Sequence, residues 1–111
     1  MMKRFLLAAI VSAVPVCLVS AQDAEVSVDM IGIGAMSCAH WRSTKEHLLE
    51  GTVWIYGFWT GLNYVAAASG QPQAKIKMSA IVVEVEKTCA AQQTSQTLAS
   101  AVWTTYLGSK K

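Results

Sequence analysis

The chain has 111 residues, and its nine Lys and Arg against seven Asp and Glu give it a formal net charge of +2. A chain of this length has room for one domain around one small hydrophobic core. Because its basic residues form no cluster, the sequence lacks the electrostatic footprint of a protein that binds nucleic acid or an anionic membrane surface.

The first 21 residues have the layout of a secretory signal peptide. Lys3 and Arg4 precede an apolar run over residues 5–19, and small residues follow as far as Ala21. A basic start, an apolar middle and a small-residue cleavage site are typical of such leaders. We therefore expect cleavage after Ala21 and export to the periplasm. The mature chain would have 90 residues with seven bases, seven acids, no net charge and no membrane contact.

Two alternatives to this cleavage are a retained membrane anchor and lipidation at Cys17. The apolar run contains Pro15 and is shorter than the roughly 20 residues that a membrane-spanning helix needs. Val16, directly before Cys17, is bulkier than the small residue that lipidation favours. Both observations favour cleavage after Ala21, which removes Cys17 from the mature protein.

Residues 22–36 contain two glycines and few large apolar side chains, which predicts a flexible lead-in before the folded domain. A helix is then predicted to begin at Cys38, because Ser37 can accept a hydrogen bond from an early backbone N–H as the N-cap. Gly51 is expected to interrupt this helix, since glycine is a poor helix former.

Residues 52–68 contain no charged side chain and place apolar residues on all sides of a helix, which predicts a buried central helix. Gly57 and Gly61 form a G-x-x-x-G pair that would let a second helix approach closely, either inside the domain or as a homodimer seam. A transmembrane span is the alternative, but the stretch is short and carries polar side chains such as Asn63.

Residues 75–92 are predicted to form the next helix, because five residues recur at helical spacing. They are Met78, Ile81, Val82, Val85 and Cys89. The β-branched run at residues 81–85 leaves a strand as the alternative. A last helix, capped by Thr94 or Ser95, is predicted to end at Gly108.

Cys38 and Cys89 are the two cysteines of the expected mature chain. An even number of cysteines in a small exported domain predicts a disulfide, and closing a loop of this length stabilises a fold by about 4 kcal/mol. His40 and His47 lack the spacing of further metal ligands, so we predict no metal site. The sequence thus predicts an all-α fold: a small single-domain bundle of three to four helices over residues 37–108, tied by one disulfide.

No catalytic residue is predicted, although titratable residues cluster on the first helix at His40, Glu46, His47 and Glu50. His47 and Glu50 are three residues apart and could form an acid–base pair. The nearby hydroxyl groups, on Ser37 and Ser43, do not lie in a nucleophile elbow. A solvated helix face explains the cluster better, so we predict a protein that is not an enzyme and has no cofactor.

Four parts of the sequence share the frame of a known family. They are Cys38, the W-x-x-G-F-x-x-G-x-N segment at residues 54–63, a helix ending at Cys89, and an amphipathic segment at residues 98–102. In this frame the chain resembles the HdeA/HdeB family of periplasmic acid-stress chaperones. It is also similar, though less so, to the Tai-type immunity proteins, which are small periplasmic inhibitors of secreted amidase toxins.

The HdeA/HdeB resemblance implies a dimer that is folded at neutral pH, loosens in acid and exposes apolar surface to unfolded client proteins. Protonation of seven carboxylates and two histidines would take the neutral mature chain to about +9, and this repulsion would weaken packing while the disulfide limits unfolding. Aromatic residues are predicted as core or client-binding groups at Trp41, Trp54, Phe58, Trp59 and Trp103.

The Tai-type resemblance implies a different partner, namely one specific protein bound near neutral pH. Such an inhibitor needs an exposed loop of defined shape. The candidates in this sequence are residues 70–74 and residues 31–36.

Overall fold

Four α-helices follow one another in the described part of the chain, which comprises residues 28–92 and 96–110 of a computed structural model. Their bounds are Cys38–Trp41 for α1, Lys45–Ala68 for α2, Met78–Ala91 for α3 and Leu98–Gly108 for α4. One turn of 3₁₀ helix, Gly32–Ala35, precedes α1, and the described residues contain no β-strand. The predicted all-α fold is confirmed. The signal peptide predicted at residues 1–21 and the start of the predicted lead-in, residues 22–27, lie outside the described residues.

Hydroxyl side chains cap three of the helices: Ser37 for α1, Thr44 for α2 and Thr97 for α4. Each accepts a hydrogen bond from the backbone N–H three residues later, which satisfies a donor that the first helical turn leaves free. The cap predicted at Ser37 is confirmed. The cap predicted at Thr94 or Ser95 is wrong, because α4 begins only after Thr97.

The break between α1 and α2 falls at residues 42–44, and α2 then runs through Gly51 without interruption. The prediction that Gly51 interrupts a helix is therefore wrong. Gly51 lies against the indole of Trp41, where a Cβ atom would overlap the ring. Trp41 is fully buried, and its Nε1–H donates to the Leu48 carbonyl at 3.1 Å. The glycine thus makes room for a tryptophan instead of ending the helix.

The hydrophobic core lies between α2, α3 and α4. The last helix contributes four buried side chains, Leu98, Ala101, Val102 and Tyr106. Ile81, Val85 and Cys89 form the buried stripe of α3, as predicted from their spacing. The helix prediction for this segment is confirmed over the strand alternative, and the helix begins at Met78 rather than at residue 75.

The Cys38–Cys89 disulfide joins α1 to α3, with the two Cα atoms 5.8 Å apart, and confirms the predicted pairing. Both cysteines are buried. Because α1 has only four residues, it is far too short to be stable as an isolated helix. The disulfide and the packing of Trp41 therefore fix its position.

Residues 32–36, the end of the predicted flexible lead-in, pack on the bundle. Ile33, in the 3₁₀ turn, is buried there. Directly after it, the Met36 carbonyl accepts from the Leu98 N–H at 2.8 Å, and the Cys38 N–H donates to the Gln96 carbonyl at 2.8 Å. These bonds link the entry to α1 with the entry to α4. The glycines that suggested flexibility instead let the backbone lie against a tryptophan ring.

The outward face of α2 is exposed, although its apolar pattern predicted a helix buried on all sides. The buried residues of α2 are Gly51, Ile55, Trp59 and Ala66. Gly57 and Gly61 lie on the exposed side, and a Cβ atom built on either has no neighbour within 4 Å. The prediction that these glycines admit a second helix inside the domain is therefore wrong, which leaves the homodimer seam.

Gly51→Ala should lower the free energy of unfolding by about 1–3 kcal/mol, because the added methyl group must displace the buried Trp41 ring. Gly57→Ala is the matched control in the same helix. Its methyl group enters open space, so the better helix propensity should raise stability by about 0.5–1 kcal/mol. Urea denaturation at low protein concentration measures both. Equal effects of the two substitutions would contradict the packing of Trp41 on Gly51.

Candidate functional site

Three aromatic residues of α2 lie in the core or pack against it. Trp59 is buried, while Trp54 and Phe58 are half-buried against the core, with their ring centroids 4.9 Å apart. Of the other aromatic residues predicted as core or client-binding, Trp41 is buried and Trp103 is 46% exposed on α4. The structure thus brings two of the five predicted residues, Trp54 and Phe58, into contact with each other, whereas Trp59 packs on Tyr106. Trp54, Phe58 and Trp59 are hereafter the aromatic row.

Residues 28–36 lie over Trp54 and are hereafter the first cover. The Trp54 Nε1–H donates to the Ile31 carbonyl at 3.0 Å. Gly34 lies so close that a Cβ atom would overlap the Trp54 ring, and Gly32, with a φ of +87°, would place a Cβ 3.4 Å from Trp54 Cδ1. Glycine at both positions lets the backbone approach the indole closely.

Residues 71–77 lie over Trp59 and are hereafter the second cover. They form the extended link between α2 and α3. The Trp59 Nε1–H donates to the Ala74 carbonyl at 3.0 Å in the interior. Ala74 is 1% exposed and Ile76 is half-buried, whereas the other residues of the second cover are exposed. The link is therefore held to the bundle through very few side chains.

Asn63 connects the second cover and α4 to α2. Its Oδ1 accepts hydrogen bonds from the Ala74 N–H at 3.0 Å and from the Tyr106 hydroxyl at 2.8 Å. The Tyr106 ring in turn meets the Trp59 ring edge-on, with centroids 5.1 Å apart. Because Ala74 also accepts the Trp59 indole N–H, both backbone polar groups of this one residue are bonded to α2.

The sequence interpretation included Asn63 in the family frame but gave it no role. The sequence did contain a feature that indicates a structural role, because Asn63 is the only side-chain amide in α2. Buried polar groups need hydrogen-bond partners, so an amide inside an uncharged apolar segment marks a connection to another element. The partner element could not be inferred, since Tyr106 lies 43 residues away in the sequence.

Trp54 and Trp59 would become exposed if the two covers detached locally from the bundle. Neither cover contains an α-helix or a strand, and each receives one indole N–H from the row. Segments with few buried apolar contacts and few backbone hydrogen bonds open at a lower free-energy cost than a packed core. Opening of the covers would expose Trp54 and Trp59 while α3 and α4 stay packed.

The histidine cluster has a structural role in the turn between α1 and α2. Ser43 Oγ donates to the His40 carbonyl at 2.7 Å and lies 2.9 Å from His47 Nδ1. The His40 and His47 rings stack with centroids 4.1 Å apart. His47 thus pairs with Ser43 rather than with Glu50, which was the predicted acid–base partner.

The described residues contain no group of three or more His, Cys, Asp or Glu side chains that could hold a metal ion. No helix within these ranges is long and apolar enough to cross a membrane. Comparison of the chain with protein-family models, with curated proteins and with solved structures finds no match. The family resemblance therefore stays a prediction that rests on the quoted residues.

Asn63→Ala should lower the free energy of unfolding by about 1–3 kcal/mol, because the Ala74 N–H and the Tyr106 hydroxyl lose their shared acceptor. Hydrogen exchange at the Ala74 amide, followed by NMR, should accelerate more than exchange within α4. Thr60→Ala is the control, since this exposed hydroxyl donates only to the Tyr56 carbonyl one turn earlier, and it should change stability by less than about 0.5 kcal/mol. Similar effects of both variants would contradict the connecting role of Asn63.

Proposed function

We propose that the protein is a non-enzymatic periplasmic stress protein that binds unfolded clients in acid, as a holdase chaperone of the HdeA/HdeB type. The observation that carries this proposal is the aromatic row beneath two thin covers. A holdase needs apolar surface that is hidden from other proteins in one condition and offered in another. Trp54, Phe58 and Trp59 supply large apolar side chains, and the covers supply the means of hiding Trp54 and Trp59.

Acid supplies a force that opens the covers. Once the carboxylates and histidines of the expected mature chain are protonated, every remaining side-chain charge is positive. Lys75 and Lys77 on the second cover are then repelled by the rest of the chain. This repulsion favours local opening over the closed arrangement.

The disulfide keeps this opening local. Cys38–Cys89 ties α1 to α3 and is unaffected by protonation. A chain cross-linked in this way has fewer unfolded conformations, so repulsion that would unfold a linear chain loosens only its weakest segments. The proposal therefore requires the oxidised protein.

The test is light scattering of an aggregation-prone client with and without the oxidised mature protein. At about pH 2.5, below the usual range of carboxyl titration, the protein should suppress aggregation, and near pH 7 it should not. Phe58→Ala should weaken suppression in acid, because it removes a ring from the aromatic row. Trp103→Ala is the matched control, since this aromatic residue is already exposed on α4 and lies outside the row. Absence of suppression in acid, or equal losses from both variants, would contradict the proposal.

Export is tested separately by mass spectrometry of the protein from a periplasmic fraction. We expect an N-terminus at Gln22 and an intact Cys38–Cys89 disulfide, because cleavage follows Ala21 and the compartment is oxidising. The cytoplasmic fraction of the same cells is the control. Intact Met1 or a lipidated Cys17 in the exported protein would contradict the predicted cleavage.

A second candidate is a Tai-like inhibitor of one specific protein, and one observation favours it. Ile31 is 81% exposed at the first cover, while its own carbonyl is fixed by the Trp54 indole. A large apolar side chain on fixed backbone is suited to a defined pocket on a partner. Ile31→Asp discriminates the two functions: it should abolish inhibition of a specific partner near pH 7 but leave client suppression in acid unchanged.

A further inference from the structure

A cleft of about 270 Å³ lies where α2, the second cover and the start of α3 meet. Its volume equals that of about nine water molecules, so a molecule of about ten non-hydrogen atoms fills it. Trp59, Asn63, Lys75 and Met78 are among the residues that line it. An apolar lining with a few polar groups is typical of a small-molecule site, and the polar groups indicate what such a site holds.

The Asn63 side chain offers a pair of N–H groups at this cleft. Its Oδ1 accepts from the Ala74 N–H at 3.0 Å and from the Tyr106 hydroxyl at 2.8 Å. These bonds fix which end of the amide is the oxygen, because the exchanged orientation would bring the Nδ2 hydrogens against the Ala74 N–H. Among the described residues Nδ2 has no acceptor, yet it is not a buried atom without a partner, so it is open to solvent. Its two hydrogens are therefore available to an acceptor placed in the cleft.

Lys75 adds a positive charge close to this amide. It follows Ala74 directly in the second cover, and within the described ranges no other charged residue lines the cleft. Its flexible stem lets the ammonium group reach an acceptor that is bound to Asn63 Nδ2. The start of α3 contributes a partial charge of the same sign, because Met78 lines the cleft and no side chain caps this helix. The cleft therefore favours an anion over a cation.

The rest of the lining is mainly aromatic and aliphatic. Trp59 and Ile81 are buried beneath the cleft surface, and Tyr56 and Ile76 are half-buried at it. A ring or a short branched chain that packs on these side chains is removed from water. The cleft thus combines an anion site with an apolar surface.

We propose that this cleft binds a small organic acid with one carboxylate and one aromatic or branched apolar group. The carboxylate accepts from Asn63 Nδ2 and pairs with the Lys75 ammonium group, while the apolar group packs on Tyr56 and Ile76. One positive side chain matches a carboxylate, which carries one negative charge. A phosphate group carries nearly two negative charges at neutral pH and is a poorer match for a single lysine.

A bound acid would fasten the second cover to the bundle. It would contact α2 and the second cover at the same time, so it stabilises their closed arrangement by mass action. Hydrogen exchange at the Ala74 amide should therefore be slower in the bound protein. This inference does not rest on client binding, because the acid binds the closed protein near pH 7.

Phenylacetate is the probe, since it joins one carboxylate to one ring and has about ten non-hydrogen atoms. NMR titration of the oxidised mature protein, near pH 7 and at about 0.15 M salt, measures its binding. The Ala74 amide and the Asn63 side-chain amide should shift in a saturable way, with a dissociation constant of about 0.1–1 mM for a ligand of this size. Phenylacetamide has the same shape without the charge and should bind about tenfold more weakly.

Asn63→Asp tests the amide with almost no change of shape. One carboxylate oxygen can still accept from the Ala74 N–H and the Tyr106 hydroxyl, so circular dichroism should match that of the unaltered protein. The other oxygen replaces the N–H donors with a negative charge, so phenylacetate binding should be lost. A folded Asn63→Asp protein that binds phenylacetate as tightly as the unaltered protein would overturn the proposal.

A pair of lysine variants keeps the test decisive if Asn63→Asp fails to fold. Lys75→Met removes the charge but keeps an apolar stem, and it should weaken phenylacetate binding by about threefold to tenfold. Lys77→Met is the matched control, because it makes the same change in the second cover at a residue that does not line the cleft. It should change the affinity by less than about twofold at this salt concentration.

Three results would each overturn the proposal. The first is the absence of saturable shifts up to about 10 mM phenylacetate. The second is equal affinity for phenylacetate and phenylacetamide, which would show that the carboxylate is not recognised. The third is an equal loss of affinity in Lys75→Met and Lys77→Met, which would show that the anion does not bind in this cleft.

Discussion

Three indole N–H groups hold the structure together, each by a hydrogen bond to a backbone carbonyl. They join Trp41 to Leu48, Trp54 to Ile31 and Trp59 to Ala74. A one-turn α-helix, a segment with one 3₁₀ turn and an extended link have few backbone hydrogen bonds of their own, so each added bond to a carbonyl helps to hold them. An indole supplies a large apolar ring and one donor in the same side chain. Each tryptophan therefore both packs its ring in or against the core and helps to fasten a neighbouring segment to it.

Some structural features follow from the local sequence, whereas the different surroundings of the glycines in α2 do not. The apolar spacing of α3 and the Ser37 cap are local features, and both predictions from them are confirmed. Gly51 and Gly57 lie in the same apolar helix, yet one packs on a buried indole and the other faces open space. Which glycine meets a neighbour depends on where α1 folds back, and the spacing of residues within α2 carries no such information.

The aromatic row was only partly predictable for a related reason. The sequence singled out Trp54, Phe58 and Trp59 as core or client-binding residues, because large aromatic side chains are few and concentrated in one segment. It could not show that residues 28–36 and 71–77 lie over Trp54 and Trp59, since this follows from single hydrogen bonds between residues up to 23 positions apart. A lead-in rich in glycine looks flexible in sequence and becomes ordered only when a flat ring is present to receive it.

The link between α1 and α3 has a consequence for the order in which the chain acquires its fold during synthesis. Cys38 and Cys89 are separated by 51 residues, and α1 has no stability before they join. A polypeptide that emerges from its N-terminus must therefore deliver most of the domain before the first helix is fixed. Until then α2 is an apolar segment without its partners, so the interval between emergence of Trp54 and oxidation of Cys89 is when the nascent chain is most exposed to aggregation.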